Sequence, residues 1–173
     1  MCDDELLARY SEGVICTSAC IGSAPAKLVE RGNYEGAEKQ ILKWAEIFGE
    51  RFYLEIQPLD IPQQHDVNLF YMEMSKKHGI KVVATNDVHW TNYEDYDDHD
   101  TLLCIGTGTY KNQTDRMHYS NDFWLKSADE MVESFEKQSF SINDLGDENE
   151  YKEFYMEALQ NTSLIAETVE PVR

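Results

Sequence analysis

The run IKVVATNDVHW, Ile80 to Trp90, decides how this chain is read. Its first six residues are a nearly continuous apolar stretch, the pattern of a strand buried on both faces of a parallel sheet. The stretch breaks at Asn86-Asp87, and Asp87 and His89 follow just past the strand's C-terminal end. That is the rim at which α/β barrels and open α/β sheets place their chemistry.

Working outward, two more strand-then-helix units precede this one. GVICT, Gly13 to Thr17, reads as a strand that ends in Ser18-Ala19-Cys20, and Pro25 suits the first turn of a short helix. Asn33 is placed as the N-cap of a helix whose Ala37, Ile41, Leu42, Ala45 and Phe48 fall at helical spacing, with Gly49 as its stop. RFYLEIQ alternates: Phe52, Leu54 and Ile56 share one face and Tyr53, Glu55 and Gln57 the other. Pro58 ends it. Pro62 opens a helix with the stripe Val67, Phe70, Tyr71 and Met74, closed by Lys76, Lys77, His78 and Gly79. Strands alternating with helices predict an α/β architecture with parallel strands.

Beyond Trp90 the pattern changes. A helix is expected from about Tyr93 to Ile105, then a loop, GTGTYKNQTDR, and a short strand within MHYSNDFWLKS. Ser127 and Glu130 form a capping-box pair, SFSINDLGDENE reads as a polar connection, and a last helix is expected from about Glu150 to Thr168. These helices lack matching strands, so residues 93–173 read as a helical extension of residues 1–92.

Composition narrows the function. Thirty-three acids against fifteen bases in 173 residues give a formal net charge of -18. A free-standing nucleic-acid binder carries a basic patch, so any contact with DNA here needs bound cations or a basic neighbour. Cys2, Cys16, Cys20 and Cys104 form no CxxC pair, and they read as reduced thiols of a cytoplasmic protein. No signal peptide and no membrane span is read from the sequence.

Several residues carry candidate chemistry. Asp87 and His89, two apart on an extended segment, would point to one side, and carboxylate plus imidazole suits zinc, manganese or iron. The alternative is a turn at Asn86-Asp87 with His89 merely half buried. Cys20 ends the first strand and would reach the same rim, or it is a small buried thiol. Cys16 and Cys104 read as core, and His99, in DYDDHD, as part of a solvated acidic helix face. Glu55, mid-strand among apolar residues, needs a partner if buried: a hydrogen bond behind a metal ligand, or an ordinary structural pair. GTGT lacks the lysine of a phosphate loop and follows a helix.

Read together, TSACIGS, FYLEIQ, VVATNDVHW, HDTLLCIGTG, FWLKSADEM and EALQNTSLIAETVE resemble, in order, blocks of the bacterial replicative DNA polymerase III alpha subunits. They resemble the second half of that family's N-terminal polymerase-and-histidinol-phosphatase (PHP) domain and the segment leading towards the palm. The resemblance implies a partial (β/α)7 barrel followed by a mainly helical extension. It implies a divalent-metal cluster, with Cys20, Asp87 and His89 as ligands, and 3′–5′ exonuclease activity where the cluster is intact. Where it has decayed, the domain is a scaffold or interaction module. The family's H-x-H motif and its palm have no counterpart here, so the chain is expected to be a fragment, inactive alone. Its expected partners are the rest of the polymerase chain, replisome subunits, DNA only through the intact enzyme, and itself through exposed strand edges.

Overall fold

Three short parallel strands, paired in chain order, organise the chain: β1 (Cys16–Thr17), β2 (Phe52–Ile56) and β3 (Val82–Ala84). The computed structural model describes residues 3–138 and 148–169, so Cys2 and most of the expected polar connection lie outside the described residues. Helix α1 (Asp4–Arg9) precedes the sheet; α2 (Ala24–Glu30) and α3 (Tyr34–Phe48) join β1 to β2, and α4 (Pro62–His78) joins β2 to β3. Helical crossovers are what parallel neighbours require. The chain is thus a mixed α/β protein.

Local chemistry sets the ends of these helices. Asn33 Oδ1 accepts from the Gly36 amide at 3.0 Å, capping α3 as expected. Gly79 ends α4 at φ 67°, a left-handed conformation that only glycine adopts without cost. β1 is shorter than its apolar run because Gly13 turns the chain at φ 71°. The Arg51 guanidinium then takes the carbonyls of Ser11 and Val14, the latter at 2.8 Å.

The alternation in β2 separates two faces. Phe52, Leu54 and Ile56, with Val82 and Ala84 of β3, pack against Ile41 and Phe48 of α3 and Tyr71 and Met74 of α4. Cys16 packs against the same core, where burial pushes its thiol above the usual value, and Cys104 is buried in α5 (Tyr96–Thr107). The other sheet face carries Thr17, Tyr53, Glu55 and Val83 at paired register positions.

Residues beyond Trp90 share this core. Met131 and Phe135 of α6 (Ala128–Glu136) and Tyr151, Phe154, Tyr155 and Ala158 of α7 (Glu148–Thr168) join it, with Phe135 stacked on Tyr155 at 4.9 Å. The register turns the Val82 peptide away from β2. There the Asn161 side-chain amide donates to the Val82 carbonyl at 2.8 Å, so α7 lies over the outer edge of β3. The segment that reads as an extension in sequence is thus packed into the sheet's own core. The capping box of Ser127 and Glu130 forms as expected, while MHYSNDFWLKS contributes a single parallel bridge, Trp90 to Trp124, and no strand of its own. Among the described residues no helix is long and apolar enough to cross a membrane.

A buried polar network locks these layers. Asn68 of α4 donates to the Gln57 carbonyl at 2.8 Å and accepts from the Gln57 amide at 3.3 Å and from Gln64 at 2.8 Å. It also donates to the Tyr151 hydroxyl, which donates to Gln138 Oε1 at 2.9 Å. Gln138 in turn donates to the carbonyls of Gln57 and Leu59. Burial raises the Tyr151 phenol far above its usual value, so the hydroxyl stays a proton donor. Replacing Asn68 by Ala strands several of these groups at once. A loss of about 2–3 kcal/mol is expected, each buried unsatisfied group costing about 1–3 kcal/mol, and urea unfolding measures it.

Candidate functional site

The C-terminal ends of the three strands converge on one polar surface. Glu55 of β2 is its centre. Its carboxylate accepts from the Thr17 hydroxyl at the end of β1 at 2.5 Å, from the Thr85 hydroxyl after β3 at 2.6 Å, and from Gln57 Nε2 at 3.0 Å. The buried Ser18 hydroxyl meanwhile accepts from the Glu55 amide at 2.8 Å. Glu55 therefore has the partners its position demands, and they are neutral donors from both flanking strands.

Two residues just past strand ends hold left-handed backbone without being glycine: Ala19 after β1, at φ 59°, and Asp87 after β3, at φ 45°. Such conformations cost of order 1–3 kcal/mol and persist only where the surroundings enforce them. For Asp87 the enforcing contact is next door. The buried Asn86 donates from Nδ2 to the carbonyls of Asp122 and Trp124, at 2.8 and 2.7 Å, and accepts from Lys126 at 3.2 Å. Lys126 also lies over the Trp124 ring at 5.2 Å, and burial lowers its ammonium below the usual value.

Asp87 and His89 do come together, with Oδ2 and Nε2 at 3.6 Å and both side chains about one-third exposed. The backbone that achieves this is bent at Asp87 rather than extended. Two ligands of one cation stand roughly 3–3.5 Å apart when each bond is near 2.1 Å, so the pair stands just wider than two adjacent coordination positions. Cys20 sits half buried in the turn after β1, its sulfur beside Gly22. Among the described residues no group of three or more His, Cys, Asp or Glu side chains gathers closely enough to hold a metal, so Cys20 does not complete a cluster with the pair. Behind the turn, burial pushes the Tyr71 phenol up to about 12, opposed by the hydroxyls of Ser18 and Ser23.

His89 sits in an aromatic cage. Its ring lies 4.7 Å from Tyr119, 5.5 Å from Phe123 and 5.9 Å from His99, and its amide donates to the Phe123 carbonyl at 2.7 Å. Trp90, Phe123 and Leu59 form a small second core here. His99 does not belong to a solvated acidic face. It turns inward onto Trp90 at 4.6 Å, and burial, then His89, pull its imidazole below the ordinary 6.5. Nothing in the spacing of residues 118–126 announces the cage. Nor does register announce the Glu55 hub: Thr17 pairs with Tyr53 and Glu55 with Val83, so its partners come from other positions along the strands.

The loop that carries Tyr119 is tied back to α5. Arg116 forks onto Asp100 at 2.6 and 2.9 Å, with both side chains nearly buried, and the Tyr96 hydroxyl donates to the Tyr119 carbonyl at 3.1 Å.

Comparison with known proteins supplies relatives for the chain. Residues 1–58 match the PHP domain family. The chain is 40% identical over 166 residues to the DNA polymerase III subunit alpha of Borreliella burgdorferi, covering 95% of this chain and 13% of that protein. It is 36% identical to that of Treponema pallidum over 77% of this chain and 12% of that protein, and 32% identical to that of Saccharopolyspora erythraea over 97% and 13%. The chain belongs to the family of DNA polymerase III alpha subunits and spans about an eighth of the length of these relatives.

The Arg116 guanidinium holds the Asp100 carboxyl below its ordinary 3.8. A folded value below the unfolded one stabilises above the unfolded value and is lost as pH falls through the folded one. The loop over residues 109–119 is therefore expected to gain hydrogen exchange only in acid, below about pH 4. In Asp100→Asn it should exchange faster already at neutral pH, with that acid step removed. An unchanged acid profile in the variant would rule this out.

Proposed function

We propose that this chain is the PHP-type portion of a replicative DNA polymerase III alpha subunit. Residues 1–92 would be the second half of a (β/α)7 barrel, and residues 93–173 would lead from it towards the polymerase palm. The observation that carries the reading is the Asp87–His89 pair, 3.6 Å apart past the end of a parallel strand.

In this reading Asp87 and His89, with Cys20 from the turn after β1, are part of the ligand set for divalent cations such as zinc, manganese or iron, and other ligands come from elsewhere in the polymerase. A cation bound there would supply Lewis-acid stabilisation for hydrolysis of a 3′-terminal phosphodiester. The chain's own residues hold the positions. Asn86 fixes the bend that brings Asp87 to His89; the cage of Tyr119 and Phe123 sets the imidazole plane; Glu55 ties the three strand ends at constant spacing.

A second reading, a supporting module without its own chemistry, draws on the same rim. Glu55, Thr17 and Thr85 spend their hydrogen-bonding capacity on one another. Both readings make the rest of the polymerase chain and its replisome partners, in the cytoplasm, the setting in which the segment acts.

The chain alone is expected to show no exonuclease or polymerase activity. Manganese- or zinc-dependent digestion of a 3′-labelled single strand, abolished in His89→Ala, would refute that. With a net charge of -18, it is also expected to leave the anisotropy of a labelled single strand unchanged at low salt without metal. Light scattering at rising concentration reports whether it associates with itself. In a full-length alpha subunit that digests 3′ ends, Asp87→Ala and His89→Ala are each expected to lower the metal-dependent rate at least about tenfold. Unchanged rates in both would leave the supporting role.

A further inference from the structure

An open groove of about 690 Å³ runs between the first turn of α3 and the middle of α4, away from the strand-end rim. One wall is the stripe Asp66, Leu69, Phe70 and Glu73, spaced i, i+3, i+4 and i+7 and so on one helix face. The other wall is Tyr34, Glu35 and Glu38. Tyr34 is 55% exposed with its ring 5.7 Å from Phe70, so an aromatic surface lies open beside carboxylates.

The charge lining this groove is mostly negative. Among the described residues the one cation in its lining, Lys76, pairs with Glu150 at 2.6 Å, and the nearby Lys77 and His78 pair with the lining Glu38 at 2.8 and 2.7 Å. Glu35, Asp66 and Glu73 take part in no ion pair among the described residues. Three exposed carboxylates thus frame an apolar and aromatic floor.

We infer that this groove docks a protein segment presenting arginine among aliphatic side chains. The volume suits several side chains rather than a lone ion. A guanidinium can stack on the Tyr34 ring while its fork meets the carboxylates, which a compact ammonium does less well. Leucine-like neighbours fill the Leu69–Phe70 floor. Nucleic acid is repelled by the same carboxylates, and a second copy of the chain brings a net charge of -18 against them. The inference is independent of the metal reading of the rim.

The test uses a fluorescein-labelled octapeptide of alternating leucine and arginine, with lysine and citrulline counterparts, in fluorescence anisotropy against the whole chain. Thermal melts establish that every variant is folded. The arginine peptide is expected to bind most tightly and the citrulline peptide least. Glu35→Gln with Glu73→Gln, and separately Tyr34→Ala, are expected to weaken the arginine peptide by about tenfold. The charge-matched pair Glu94→Gln with Asp129→Gln should leave it unchanged. Equal loss in both glutamine pairs would reduce the effect to net charge and overturn the site. No binding, equal binding of the arginine and citrulline peptides, or an unaffected Tyr34→Ala would overturn it as well.

Discussion

Everything at the strand-end rim rests on how Asn68 satisfies the end of β2. Where β2 stops, the Gln57 peptide leaves the sheet with an amide and a carbonyl in an apolar interior, and Pro58 forbids the strand from continuing. One side chain of α4 answers both groups, and through Tyr151 and Gln138 the same cluster reaches α7 and the end of α6. A buried network of this kind is worth having only when nearly complete, because each unmet group is costly at low dielectric. It therefore fixes the helices against the sheet more narrowly than apolar packing alone, and the spacing of the strand ends follows.

The rim shows a division of labour between neutral and charged groups. Glu55 is held by hydroxyls and an amide, and so ties three strands without a buried ion pair. Asp87 and His89 remain about one-third exposed and paired only loosely, at 3.6 Å. The backbone around them is constrained by Asn86 and by the aromatic cage, so their placement does not depend on the contact between them. Side chains kept free while their backbone is fixed can take a third party without reorganisation of the scaffold.

Much of this was legible in the sequence. Alternation in β2 gave both faces of the sheet, Asn33 and Ser127 marked helix starts, and Gly79 marked a stop. Asp87 and His89 were expected to share one side of an extended segment, and they come together at a bend instead. What could not be read was contact between distant segments. Arg51 reaches the Val14 carbonyl from 37 residues away, the Gln138 to Gln57 bond spans 81 residues, and His99 turns inward onto the Trp90 ring. Local periodicity carries no trace of these, since each is decided by what lies opposite after folding. Among the described residues α6 and α7 bring no strands of their own and join a core built by earlier elements.

The Asn161 bond to the Val82 carbonyl joins residues 79 apart in sequence. On the ribosome, where chains grow at about 5–20 residues per second, β3 would emerge several seconds before the helix that shields its outer peptide groups. Throughout that interval the nascent sheet presents an unguarded apolar margin. The step most exposed to misassociation is therefore set by translation speed, and a slow codon cluster between the two segments would lengthen it in direct proportion.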